Sequence, residues 1–439
     1  MSKKGIAFFT KDGGKITVNA NAEAYGYGSL IAYADNGKVE VNSNITAIDS
    51  GVSTTANKFN NVGSYAVNGG EITISGNSSI NGLGALANGS SSKVDLNGTN
   101  NVINTGISGG LVAQTGGTVN FNGGTITNKD NIVNDHSDVT PFYAGGSSKV
   151  VFNGATTIDM YDGILVSGNA SDYSASVGGS NKYQGMSNVN VVLQDNGVNF
   201  GIFDGASLTW DDSLDSNNTY TNGLISIPQF NSVNANGKTY LSSLKNGTLN
   251  VTSPTITLDS SSDRYNYISM ENELVTFSSG TLISGDVSTG SLKGQGLSLG
   301  SNSSATANTS SGYINNGTIN VTGGTTSAGI AGMNVAYGQI HNTSTGNVTI
   351  DNGASLFATN GSKIVNDGVL TVTGSGQGIA AFGKDLAGSI SYGNSSIYIE
   401  NNGTMSVAGN NATGIYANNN GGALQTDVNI IKMQEFTIQ

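Results

Sequence analysis

One phrase recurs along the chain. "INNGTINVTGG" (Ile314–Gly324), "VNDGVLTVTGSG" (Val365–Gly376) and "NNGTMSVAGNN" (Asn401–Asn411) all read Asn-x-Gly-x-apolar-x-Val-x-Gly. An active site needs its residues once. A phrase restated along a chain marks one structural unit used many times. The N-terminal part has its own dialect, apolar-x-Ala followed by a Gly-rich turn and a short Val/Ile strand. "LIAYADNGKVEVN" (Leu30–Asn42), "YAVNGGEITISG" (Tyr65–Gly76) and "GLVAQTGGTVNFNGG" (Gly110–Gly124) are examples.

The first apolar residues of these strands are Ile16, Val39, Ile72, Val94, Val119 and Val150, spaced by 23, 33, 22, 25 and 31 residues. Apolar residues alternate with polar ones: Val39/Val41 flank Glu40, Ile72/Ile74 flank Thr73, and Val94/Leu96 flank Asp95. Positions two apart share one face of a strand, so these strands bury one face and wet the other. No long 3.6-residue period exists, and Gly interrupts every segment, which excludes helix. A unit of about 22–33 residues that restores the same order is what a coil of a parallel β-helix does, and not what a hairpin array does. The expected fold is all-β: a right-handed parallel β-helix with loop excursions, two short strands per unit. Ile16, Val39, Ile72, Val94, Val119, Ile319, Val321, Val372 and Val407 are expected to point inward. In the C-terminal dialect, Gly317, Gly368 and Gly403 each follow an Asn or Asp, the pair that supplies positive φ in a tight turn.

The pattern divides the chain. Residues 1–154 and 311–431 read as regular coils, and 155–310 as irregular coils with longer loops. "TTANKFNN" (Thr54–Asn61) and "TNKDNIVNDHSD" (Thr127–Asp138) exceed a coil and read as surface loops. Residues 432–439 leave both dialects and are expected to be an atypical tail at a truncation.

Charge excludes several partners. The formal net charge is −12, and Arg264 is the only arginine. Nucleic-acid binding needs clustered Lys/Arg to replace phosphate counterions, so no nucleic acid is expected, and an anionic membrane surface is disfavoured for the same reason. With no cysteine there are no disulfides, thiolate metal sites or thiol chemistry. The absence suits a chain that crosses an oxidising compartment unfolded. The apolar run Gly5–Phe9 is shorter than the roughly 7–15 residues of a secretory signal core. The chain is then either cytosolic or a piece of a longer exported one.

Motifs for chemistry are sparse. His136 and His341 stand over 200 residues apart, and a zinc site needs more ligands at tight spacing. His136 lies between two aspartates, in the composition of a solvated loop. Asp211, Asp212 and Asp215 follow Trp210, the one tryptophan. Such carboxylates bind Ca²⁺ when backbone oxygens complete the shell, but a hydrated acidic turn has the same sequence. Trp210 itself has two readings. It continues the alternation after Leu208 as a core residue, and a ring beside carboxylates is also a sugar-stacking arrangement. The Trp210–Tyr240 stretch is the least repetitive part of the chain, and recognition needs something that occurs once. Trp210, Asp211, Asp212, Asp215 and Tyr220 are therefore the expected ligand contacts. No catalytic residue, metal or cofactor is expected.

The repeated runs "SGYINNGTINVTGG", "IVNDGVLTVTGSGQGIAAFG" and "IENNGTMSVAGNNATGIYANNNGG" resemble the passenger domains of large monomeric type V autotransporter adhesins, in particular the fusobacterial outer-membrane adhesins of the RadD-like and galactose-binding type. The resemblance is one of repeat style and covers nearly the whole chain. It implies a long β-helical passenger displayed on the bacterial surface, with membrane attachment only through a C-terminal barrel absent from this chain. The expected function is a segment of such a passenger. It would be a rigid stalk whose loops attach to host-cell glycans, receptor proteins or other bacteria, without enzymatic activity. A polysaccharide lyase or glycosidase on the same scaffold, or a stalk that binds nothing, are the alternatives.

Overall fold

Short strands with one apolar face bury that face only by stacking on copies of themselves, and the described residues show this stacking. The structure, a computed structural model, describes residues 5–26, 28–48, 61–105, 109–128, 140–161, 163–194, 198–199, 201, 203–211, 223–235, 239–240, 244–252, 255–259, 270–286, 301–303, 310–322, 331–336, 338–351, 354–359, 362–374, 376–382, 397–410, 412–418 and 428–438. The loops expected at Thr54–Asn61 and Thr127–Asp138 lie, apart from their ends, outside these residues, as do His136 and Arg264.

The first coil runs through Ile6–Lys11 (β1), Lys15–Val18 (β2) and Ala22–Tyr25 (β3), and the second through Leu30–Asp35 (β4), Lys38–Val41 (β5) and Ile45–Ile48 (β6). β4 lies parallel on β1, β5 on β2 and β6 on β3. The fold is a parallel β-helix. A coil holds three strands, not two, because the corner after β5 is only three residues and leaves no long polar gap in the sequence to separate β5 from β6. Successive coils repeat this register, for example Val39 on Ile72 on Val94 on Val119 on Val150.

The core follows from that register. Val39, Val94, Val119, Ile319 and Val372 are fully enclosed, and Ile72, Val321 and Val407 are buried. Burial of each such side chain contributes about 1.5–3 kcal/mol. Ile16, in the outermost described coil, is half-buried.

The chain forms two compact units, one of residues 1–201 and 226–240 and the other of 202–225 and 241–439. The stretch 155–310 thus contributes to both. In the first unit it includes a local departure with two 3-10 turns, Ala170–Asp172 and Met186–Asn188, after which Val189–Leu193 rejoins the ladder on Thr156–Met160. In the second unit, parallel ladders link Ser207–Asp211, Thr248–Val251, Leu274–Phe277, Gly312–Asn315, Gln339–Asn342 and Lys363–Asn366 in turn. Residues 432–438 form the second half of strand Val428–Ile438, parallel to Ile397–Ala408.

The repeated corner glycine has a different cause from the one its sequence implies. In the first unit the turn residues Asp12, Asn36, Asn68 and Thr115 do have positive φ, between 48° and 52°, a region that Asn and Asp tolerate better than most residues. In the second unit Gly317, Gly368 and Gly403 do not. A Cβ on Gly368 would strike the carbonyl oxygens of Gly346 and Thr343, and one on Gly403 the carbonyl oxygen of Gly368. Glycine is required there by the close approach of the coil below. Beside this glycine column runs a buried asparagine ladder. Asn315 Nδ2 donates to Asn342 Oδ1 (2.8 Å), Asn342 Nδ2 to Asn366 Oδ1 (2.7 Å) and Asn366 Nδ2 to Asn401 Oδ1 (2.6 Å).

Candidate functional site

The stretch picked from sequence does not present its ring to solvent. Trp210 is 1% exposed, in register with Val251 inside the second unit. Alternation after Leu208 places it in the core, so it cannot serve as an exposed stacking platform. Asp211 is exposed at the end of the same strand. Asp212, Asp215 and Tyr220 lie outside the described residues, so the five are not shown together. Phe230, from the same stretch, is buried with its ring 6.2 Å from that of Tyr173 in the first unit.

The outward rows of the first unit show what the stacking does bring together. On the β2–β5 face the row is Thr17, Glu40, Thr73, Asp95 and Asn120. Lys15 and Lys38 bridge to Glu40 at 2.9 and 3.0 Å and hold its carboxyl down at about 2. On the β3–β6 face, Thr46 and Ser79 are followed by Val102, Thr125 and Thr157.

The β1–β4 face differs. Its outward row is Phe9, Tyr33, Tyr65, Leu86, Val112 and Tyr143, one residue per coil. Phe9 and Tyr143 are 51% and 41% exposed. Phe9 stacks on Tyr33 at 5.3 Å, and Tyr33 meets Tyr65 edge-on at 5.2 Å. Burial within the row raises the Tyr33 hydroxyl above its ordinary pKa, with Asp35 adding to the effect. The neighbouring inward row is Thr10, Ala34, Ala66, Ala87, Ala113 and Ala144, all small. The signal was in the sequence. Aligning the dialect on that alanine places an aromatic or aliphatic residue immediately before it in each of the five coils that carry it, and Phe9 stands before Thr10 in the first.

No family model, curated protein or solved structure matches the chain. Among the described residues no group of three or more His, Asp or Glu side chains could hold a metal ion, and no helix is long and apolar enough to cross a membrane.

A second feature lies in the second unit. A groove of about 600 Å³ is lined by Ser344, Asp367, Val369, Asn402 and Thr404 along the glycine corner. Asn402 Nδ2 donates to Asp367 Oδ1 at 2.9 Å, and His341 Nε2 lies 2.8 Å from Asp367 Oδ2. The Asn402 amide foremost, and His341 after it, hold the Asp367 carboxyl below the usual carboxylate range. The groove offers carboxylate, amide and hydroxyl groups beside one exposed aliphatic side chain, Val369. That set can receive the hydroxyls of a polar ligand.

Proposed function

We propose that the chain is a segment of a surface-displayed autotransporter adhesin passenger, attaching to host cells or other bacteria by binding and not by turnover. The observation that carries this reading is the aromatic row of the first unit. Two faces of that unit are largely polar or charged outward, and the third lines up the exposed Phe9 with the half-buried Tyr33 and Tyr65, and, beyond Leu86 and the buried Val112, the exposed Tyr143. Partly exposed aromatic surface aligned across successive coils suits an interaction site, and Tyr combines large contact area with low ordering cost. The β-helix supports the same reading. Each coil rises about 4.8 Å, so stacking gives a rigid frame on which recognition groups are displayed. The galactose-binding and RadD-like resemblance supplies the class of partner: host glycans, receptor proteins or bacterial surfaces.

The purified chain should bind host epithelial cells or partner bacteria, and Phe9→Ser/Tyr33→Ser/Tyr65→Ser should lower that binding at least about tenfold, a loss of about 1.4 kcal/mol that exposed aromatic contacts readily supply. Circular dichroism should stay β-rich in the variant. Undiminished binding by a folded variant removes the row from the interface. Release of reducing sugar from a polysaccharide panel would replace the adhesin reading with the glycosidase one.

A further inference from the structure

Asn-Gly pairs are frequent in this chain, and the fold treats them unequally. The corner that follows the second face of the first unit stacks three of them. Leu96, Phe121 and Phe152 are in register, so Asn97-Gly98, Asn122-Gly123 and Asn153-Gly154 lie one above another. Asn122 Nδ2 donates to the Asn97 carbonyl oxygen at 2.9 Å. Asn97 and Asn153 are exposed, followed by the buried Gly98 and the half-buried Gly154. Among the described residues nothing hydrogen-bonds their side-chain amides, and nothing accepts the N–H of Gly98 or Gly154. Asn36 is exposed, with Gly37 half-buried after it, and the pair meets the same two conditions.

Other Asn-Gly pairs are held at both ends. Asn68 Nδ2 donates to Asp35 Oδ1 (2.8 Å) while Gly69 N donates to Ser92 Oγ (3.0 Å). Asn246 Nδ2 donates to Asp204 Oδ1 (2.9 Å) and Gly247 N to Glu273 Oε2 (2.9 Å). Asn316 Nδ2 donates to the Phe277 carbonyl (3.0 Å), its Oδ1 accepts from Thr343 Oγ1 (2.9 Å), and Gly317 N donates to Asn315 Oδ1 (3.1 Å).

We propose that Asn36, Asn97 and Asn153 are self-modification sites at which the folded chain deamidates, whereas Asn68, Asn246 and Asn316 are protected by the fold. The step needs only water. The backbone nitrogen of the following glycine loses its proton to solvent and attacks the asparagine Cγ, forming a C–N bond. The side-chain nitrogen takes up a proton and leaves as ammonia, giving a succinimide. Water then opens either ring carbonyl, to aspartate or isoaspartate. Glycine is the least hindered residue for the attacking position, having no Cβ. A side-chain amide tied to a neighbouring coil must break that bond to present its Cγ, and a glycine N–H that already donates is a poorer nucleophile. Each event replaces a neutral amide by a carboxylate on a surface with few charges. The corner tolerates it, since Asp12-Gly13 already occupies the position beneath Asn36-Gly37.

The full chain, held folded in mildly alkaline buffer, tests this by peptide mapping with isoaspartate detection. Conversion at Asn36, Asn97 and Asn153 should outpace that at Asn68, Asn246 and Asn316 by about tenfold, the rate factor given by a restraint of about 1.4 kcal/mol. In urea the six rates should converge, because the attacking residue is glycine in all. Equal rates in the folded state overturn the proposal. So does a ranking that persists unchanged in urea, which would assign the order to local sequence and not to the fold. Removing one restraint gives a second reading: Asp35→Ala should raise the rate at Asn68 and leave that at Asn316 unchanged.

Discussion

The Tyr313 hydroxyl is fully enclosed in the second unit, with its ring parallel to that of Phe277 at 6.3 Å and, among the described residues, no hydrogen-bond partner for its oxygen. An orphaned buried hydroxyl costs about 1–3 kcal/mol. Tyr313→Phe removes the polar atom and keeps the ring, so the urea midpoint should rise by the equivalent of about 1 kcal/mol. A fall would mean that the oxygen has a partner in solution. Glu273 is the opposite kind of residue, 1% exposed but ionisable. Burial first, and Asp204 with it, push its carboxyl up from 4.5 to about 7, against the pull of the Gly247 N–H. Between those values the folded chain keeps a proton that the unfolded chain has released. The contribution of Glu273 to stability is therefore greatest below pH 4.5 and declines as pH rises to about 7, by about 3 kcal/mol in all. Glu273→Gln, which still offers an oxygen to Gly247, should flatten that slope in pH-dependent urea melts. An unchanged slope would assign it to other groups.

Corners behave as elements in their own right, because the coil above and the coil below share them. In Asn342 one amide serves two neighbours, accepting from Asn315 and donating to Asn366. Asn342→Ala leaves buried polar atoms on both sides without that partner and should cost about 3 kcal/mol. Asn320→Ala, on the exposed outer face of the same coil region, should stay within about 0.5 kcal/mol. Similar losses at both positions would deny the ladder its role. These corners also show how far the sequence could be read. Alternation around Val39, Ile72 and Val94 and the repeating unit length were enough for the parallel β-helix and its inward residues. The Asn-x-Gly phrase marked the corner correctly. What it could not disclose is that Gly317, Gly368 and Gly403 answer to a carbonyl in another coil, since that atom is 22–36 residues away along the chain. The aromatic row escaped for a related reason. Phe9, Tyr33 and Tyr65 form a line only after the coils are aligned, whereas the local novelty around Trp210 drew attention to a ring that alternation had already assigned to the core.

Across the whole molecule, stability is a sum over coils and their nearest-neighbour contacts, as in other repeat proteins. A break in one coil weakens its neighbours and fades with distance, so unfolding should not be a single two-state event. The chain carries its own reporter. Trp210 is the only tryptophan, is 1% exposed and belongs to the second unit, so its emission follows that unit alone, while far-ultraviolet circular dichroism follows both. Val119 is fully enclosed in the first unit, with Val94 and Val150 in register on either side. Val119→Asp places a carboxylate in the fully enclosed core between Val94 and Val150 and should cost about 4 kcal/mol or more locally. The circular dichroism transition in urea should then split, with an early phase from the first unit, while the midpoint of the tryptophan emission change stays where it is in the unmodified chain. Equal shifts of both signals would show that the chain unfolds as one cooperative block, and the additive description of its coils would have to be given up.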